Sequence, residues 1–127
     1  MVIFDLINDE APLFVETAKK LVSRNLIHNK NILGIVEGNR WVEETKDITS
    51  VNRLHFFDKL DEKNIDIDFE IERISKTYDN FNIYACDRYL IKKSREFQKK
   101  MLAYTYLFYE DLFNKDVTHY FTTGIAY

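Results

Sequence analysis

The amino-acid sequence predicts an α/β fold. Two observations carry that expectation. Short apolar runs at Val2–Ile7, Ile32–Val36 and Val117–Phe121 have the length and composition of buried strands. Between the first two lies a helical stripe, so strand, helix and strand follow one another in a unit that suits a right-handed parallel crossover. Together they predict a Rossmann-like layered domain with a mainly parallel sheet flanked by helices.

Val2–Ile7 is expected to be the first strand, apolar apart from Asp5. Asn8-Asp9-Glu10 then forms a turn whose acids favour a helix start, and Pro12 fits a first helical turn. Phe14, Ala18, Leu21 and Val22 recur at helical spacing, while Glu16, Lys19 and Lys20 face outward. The helix exits across Asn25–Asn31. Ile32–Val36 is the second buried strand and ends at Glu37-Gly38-Asn39-Arg40.

Residues Trp41–Lys63 admit two readings. Leu54, Phe56 and Phe57 suit a third strand, whereas Ile48, Val51, Leu54 and Phe57 suit a helix. Asp68 reads as the cap of the next helix, with Glu70 and Glu72 in its first turn and Ile67, Ile71, Ile74 and Tyr78 on its apolar stripe. Phe81–Cys86 is strand-like and ends at Asp87-Arg88.

The aromatic stretch Ser94–Tyr127 dominates the rest of the chain. Ser94 is expected to cap a helix, with Glu96 in the positive first turn. Phe97, Met101, Phe108 and Leu112 form its stripe, widened by Leu102, Tyr109 and Phe113. Tyr104, Tyr106 and Leu107 make it apolar nearly all round, so it is expected to be buried, Phe108 deeply. The closing strand Val117–Phe121 ends at Thr122-Thr123-Gly124.

The 127 residues suffice for one domain with a real core. A composition of 46% hydrophobic and 31% charged residues excludes a disordered chain. The net charge of -3 argues against nucleic acid as a partner. One cysteine, Cys86, excludes an internal disulfide and suits a reducing cytoplasm. Val2-Ile3-Phe4 lacks the basic lead of a signal peptide, and no apolar run reaches the roughly 20 residues that span a bilayer.

From about Ile71 onward the chain resembles the N-terminal region of capsule or surface polysaccharide biosynthesis proteins, which are glycosyltransferase-like with two Rossmann-type domains (GT-B). The resemblance rests on a helix ending near Tyr78, on Asn82-Ile83-Tyr84, and on Cys86-Asp87-Arg88-Tyr89-Leu90. The Ser94-Arg95-Glu96 helix start and Asp116-Val117-Thr118-His119-Tyr120-Phe121-Thr122-Thr123-Gly124 complete it. Where that family commonly has Pro-Asp before the last strand, this chain has Asp116-Val117. The resemblance implies the acceptor-side half of a longer protein, inactive alone, that binds a carbohydrate or lipid-linked acceptor. It implies no cofactor in this domain, with the nucleotide sugar held by an absent C-terminal domain. It also implies peripheral membrane association of the full protein. A chain that stops just past Gly124 agrees with that expectation.

The candidate site residues are Asp9, Glu37, Asn39, Asp87, Arg88, Thr123 and Gly124. In a parallel sheet the loops after its strands share one edge, where ligands bind. Arg88 suits a phosphate or carboxylate held in bidentate fashion, against a structural ion pair with Asp87. Glu37 suits a general base for a sugar hydroxyl, against a solvated turn. Thr123 and Gly124 suit an acceptor pocket, against an ordinary turn. Asp66-Ile67-Asp68 resembles a two-carboxylate metal motif, but Asp68 is better explained as a cap, and no metal site is expected. His28, His55 and His119 form no ligand pair. The alternative function is a small acidic binding or inhibitor protein of a mobile element, with Asp58 through Glu72 facing a basic partner.

Overall fold

A computed structural model describes residues 1–77 and 90–122. The elements are β1 (Val2–Asp5), α1 (Ala11–Ser23), β2 (Ile32–Val36), the single turn α2 (Val42–Thr45), β3 (Ser50–Asn52), α3 (Arg53–Lys63), α4 (Ile67–Thr77), α5 (Arg95–Phe113) and β4 (His119–Phe121). Short 3₁₀ turns precede β2 and α5. No described helix is long and apolar enough to cross a membrane.

The four strands form one all-parallel sheet in the order β3-β2-β1-β4. This is the α/β, Rossmann-like architecture expected from the sequence. Val2 pairs with Ile32 on one side of β1 and with His119 on the other, and Gly34 of β2 pairs with Ser50. The two central strands are buried along their whole length, which is why both read as uninterrupted apolar runs. The edge strands β3 and β4 are part-exposed.

The chain forms two compact units, one of residues 1–56 with 113–127 and one of residues 57–112. The core of the first packs α1 on the sheet. Val2, Phe4, Leu6, Ala11, Val15, Ala18, Ile32, Val36 and Ile48 are its buried residues. Phe4 stacks on Phe121 of β4, with ring centroids 4.9 Å apart. Pro12 lies in the first turn of α1, as expected, and left-handed Asn25 ends it.

In the second unit α3, α4 and α5 are held by polar links around buried Leu60, Ile71, Ile74, Phe108 and Leu112. Arg73 of α4 forks onto Glu110 of α5 at 2.6 and 2.9 Å and also bonds Glu70. Those bonds, first to Glu110 and then to Glu70, raise the pKa of Arg73, and Arg73 holds Glu110 below the usual carboxylate range. Tyr104 of α5 meets Phe57 edge-on and donates its hydroxyl to Asp61 of α3 at 2.7 Å. Burial, helped by Asp61, pushes this phenol up to about 12. Lys100, then Tyr104, hold Asp61 below its ordinary pKa.

Several expectations are corrected. Of the two readings of Trp41–Lys63, the helix holds for Leu54 and Phe57, which lie with Phe56 in α3, whereas Val51 belongs to the strand Ser50–Asn52 and Ile48 precedes it. The cap of α4 is Asp66, whose carboxylate accepts the Phe69 N–H at 3.0 Å, and Asp68 lies inside the first turn. Ser94 does cap α5, accepting the Phe97 N–H at 3.2 Å. Phe97 and Phe113, however, are 43% and 49% exposed, so α5 is not buried all round. Its inner face carries Gln98, Ala103, Tyr104, Phe108 and Leu112. Gln98 is buried because its amide donates to the Leu90 and Lys93 carbonyls. β1 ends two residues earlier than expected and β4 starts two later. The expected Phe81–Cys86 strand lies outside the described residues.

Candidate functional site

All four strands run the same way, so Asp5, Val36, Asn52 and Phe121 end at one edge of the sheet. The chain builds β1, β2 and β3 outward in one direction, then returns as β4 on the far side of β1. The order therefore reverses between β1 and β4. Open α/β sheets bind ligands outside the carboxyl ends of their strands at such a reversal.

Asp5 occupies that position. It is only 9% exposed, at the end of a strand otherwise made of apolar side chains. One carboxylate oxygen accepts the Ile7 N–H at 3.2 Å. The other accepts the Tyr120 hydroxyl at 3.0 Å and the Thr122 hydroxyl at 3.4 Å, both across the reversal. A buried carboxylate needs such donors to offset its desolvation. Asp5 is not among the residues singled out from sequence. Its signal is a lone acid in an apolar strand.

Arg40 ties the loop after β2 to the loop after β1. It donates to the Ile7 carbonyl at 3.4 Å and pairs with the Asp9 carboxylate. Its guanidinium lies 5.1 Å from the centre of the Trp41 ring. Trp41 is half-buried against the α1 core and adopts a left-handed backbone, with φ of 62°. Asp9 is thus at the expected edge, held by a neighbouring loop.

Glu37 is at this edge too, paired with Arg53 at the start of α3. It is engaged by a guanidinium rather than turned alone towards a ligand. Beside it the Asn52 side chain clamps the turn after β2. Its amide donates to the Gly38 carbonyl at 2.9 Å, and its oxygen accepts the Gly38 N–H at 3.2 Å. Gly38 has φ of 61°, the left-handed conformation that this turn requires. Asn39 is exposed and lines a cleft at the β2–β3 end of the edge. The end of β1 and the loops after β1 and β2 therefore bring Asp5, Asp9, Glu37 and Asn39 to one edge. Asp87, Arg88, Thr123 and Gly124 lie outside the described residues.

The turn from β1 into α1 sets the chemistry of this edge. It has no glycine, and Asp9 and Glu10 precede the helix. Pro12 has no N–H, the Ala11 N–H is given to the Asn8 carbonyl and the Phe14 N–H to the Glu10 carbonyl. Few amides remain to cradle a phosphate there. The acids of the Asp58–Glu72 stretch are largely engaged within the second unit. Asp61 meets Lys100, Asp68 meets Lys99, Glu70 meets Arg73 and Glu72 meets Lys76. Among the described residues no group of three His, Cys, Asp or Glu side chains is placed to hold a metal.

No protein family, curated protein or solved structure matches this chain.

Proposed function

We propose that this chain is the acceptor-side domain of a glycosyltransferase-like protein of surface polysaccharide synthesis, with the carboxyl edge around Asp5 as its acceptor crevice. The observation that carries the reading is the Asp5 carboxylate at the β1–β4 reversal, with the hydroxyls of Tyr120 and Thr122 upon it and Asp9 beyond. Carboxylates and hydroxyls of this kind exchange hydrogen bonds with a hydroxyl-rich ligand. The glycine-free β1–α1 turn, with its acids and Pro12, disfavours a nucleotide diphosphate at the same place. The nucleotide-sugar donor then belongs to a second domain, and the acceptor is a free or lipid-linked carbohydrate. The full protein would work at the membrane surface.

Titration calorimetry with neutral oligosaccharides and with nucleotide sugars tests this, alongside a transfer assay on the purified chain. The expected outcome is weak oligosaccharide binding, lost in Asp5→Asn and weakened in the milder Tyr120→Phe, with no sugar transfer. Binding of nucleotide sugars that is lost in Asp5→Asn, or turnover by this chain alone, would overturn it. The acidic-inhibitor alternative has no specific observation in its favour: Asp61, Asp68, Glu70 and Glu72 each have a cation of their own unit beside them, although the pairs of Asp68 and Glu72 are exposed and weak.

A further inference from the structure

A cleft of about 450 Å³ lies at the β2–β3 end of the same edge. Arg40, Lys46, Asn39, Ser50, Asn52 and His55 supply its polar lining. None of the described residues lining it is acidic, although the chain carries a net charge of -3. Its volume falls in the range of small-molecule sites.

We propose that this cleft binds the phosphate group of a small phosphorylated ligand. Arg40 and Lys46 supply positive charge, and His55 supplies a ring N–H. Asn39 and Ser50 are exposed and add side-chain donors that a phosphate accepts from. The nearby carboxylates do not neutralise the cleft. Lys46 meets Glu43 at 3.5 Å with both side chains mostly exposed, an arrangement that contributes little and yields to a stronger anion. Arg40 pairs with Asp9 while its side chain remains 53% exposed, which leaves part of the guanidinium fork open to a second partner. The Asn52 clamp on Gly38 holds the loop carrying Asn39 and Arg40 in place before a ligand arrives. The contrast with the β1–α1 turn is chemical. That turn is acidic and short of free amides, whereas this cleft is rich in cations and donors.

This inference does not rest on the acceptor reading. Its test is amide chemical-shift titration of the isotope-labelled chain with inorganic phosphate, pyrophosphate and methyl phosphate at constant ionic strength. Saturable shifts are expected at Gly38, Asn39, Lys46, Ser50 and His55. Lys46→Gln and His55→Gln should each weaken binding by roughly tenfold, as loss of one hydrogen bond to a charged group does. Lys20→Gln on the exposed face of α1 removes the same charge elsewhere and should change nothing. A dispersed amide spectrum establishes that each variant folds. Shifts that never saturate, that spread evenly over surface lysines, or that persist unchanged in both variants would overturn the proposal. A neutral oligosaccharide serves as a separate arm. Its failure to bind would count against the acceptor crevice and leave the phosphate result standing.

Discussion

Tyr104→Phe offers a sharp test of the packing in the second unit. The Tyr104 phenol is buried and donates to Asp61, and its pKa is pushed up to about 12. In an unfolded chain the same group titrates near the ordinary value of about 10. A folded-state pKa raised in this way means that the protonated form is the one the fold favours. The contribution is whole below about pH 10 and is lost as the pH rises towards about 12. From this shift the loss amounts to about 1 kcal/mol by about pH 11 and about 2 kcal/mol by about pH 12. Phenylalanine keeps the ring against Phe57 but removes both the hydrogen bond and the titration. At about pH 8 the variant should be less stable by about 1 kcal/mol, the usual net worth of such a bond. The stability curves should then cross near pH 11. Urea unfolding followed by far-ultraviolet circular dichroism at pH 8 to 12 measures this. The difference between the two chains cancels the lysines and tyrosines away from this cluster that titrate over the same range, and Lys100→Met in both backgrounds removes the neighbour that pairs with Asp61. A difference that stays constant across that range would refute the assignment of Tyr104 as a buried donor to Asp61.

Substitutions at two further positions test the cores. A Cβ added at Gly34 would lie 2.7 Å from Cδ1 of fully buried Leu6, so Gly34→Ala should cost about 1–3 kcal/mol and Gly34→Val more. An alanine variant as stable as the parent would mean that the Leu6 side chain does not pack rigidly over Gly34. Phe108 is 2% exposed, and Phe108→Ala should cost about 3–5 kcal/mol in denaturant melts. A loss below about 1 kcal/mol would place the wrong face of α5 inside.

The central strands are legible in the sequence because burial on both faces demands apolar side chains throughout. Ile32–Val36 is recovered residue for residue on that ground. β3 is not legible, because Ser50-Val51-Asn52 is a three-residue edge strand with one apolar side chain. The neighbouring Leu54, Phe56 and Phe57 carry a stronger apolar signal but serve a helix. Phe97 misleads for a related reason. Its spacing matches the buried stripe of α5, yet it sits in the first turn, where Gln98 turns inward to cap the Leu90 and Lys93 carbonyls. At the candidate site, parallel strands are enough to place Asp9, Glu37 and Asn39 on one edge. The Asp9–Arg40 pair spans 31 residues and becomes visible only once β1 and β2 are paired. The role of Asp5 depends on β4 returning beside β1, which no local pattern specifies.

The claim that the carboxyl edge around Asp5 takes a hydroxyl-rich ligand is tested most directly by mapping where one binds. Amide shifts of the labelled chain, recorded during titration with a neutral oligosaccharide, give the location residue by residue. Saturable changes are expected only at Asp5, Leu6, Ile7, Asn8, Asp9 and Thr122, and they should disappear in Asp5→Asn. Changes confined to the opposite edge of the sheet, around Val2, Ile32 and His119, or to the helices of the second unit, would contradict it.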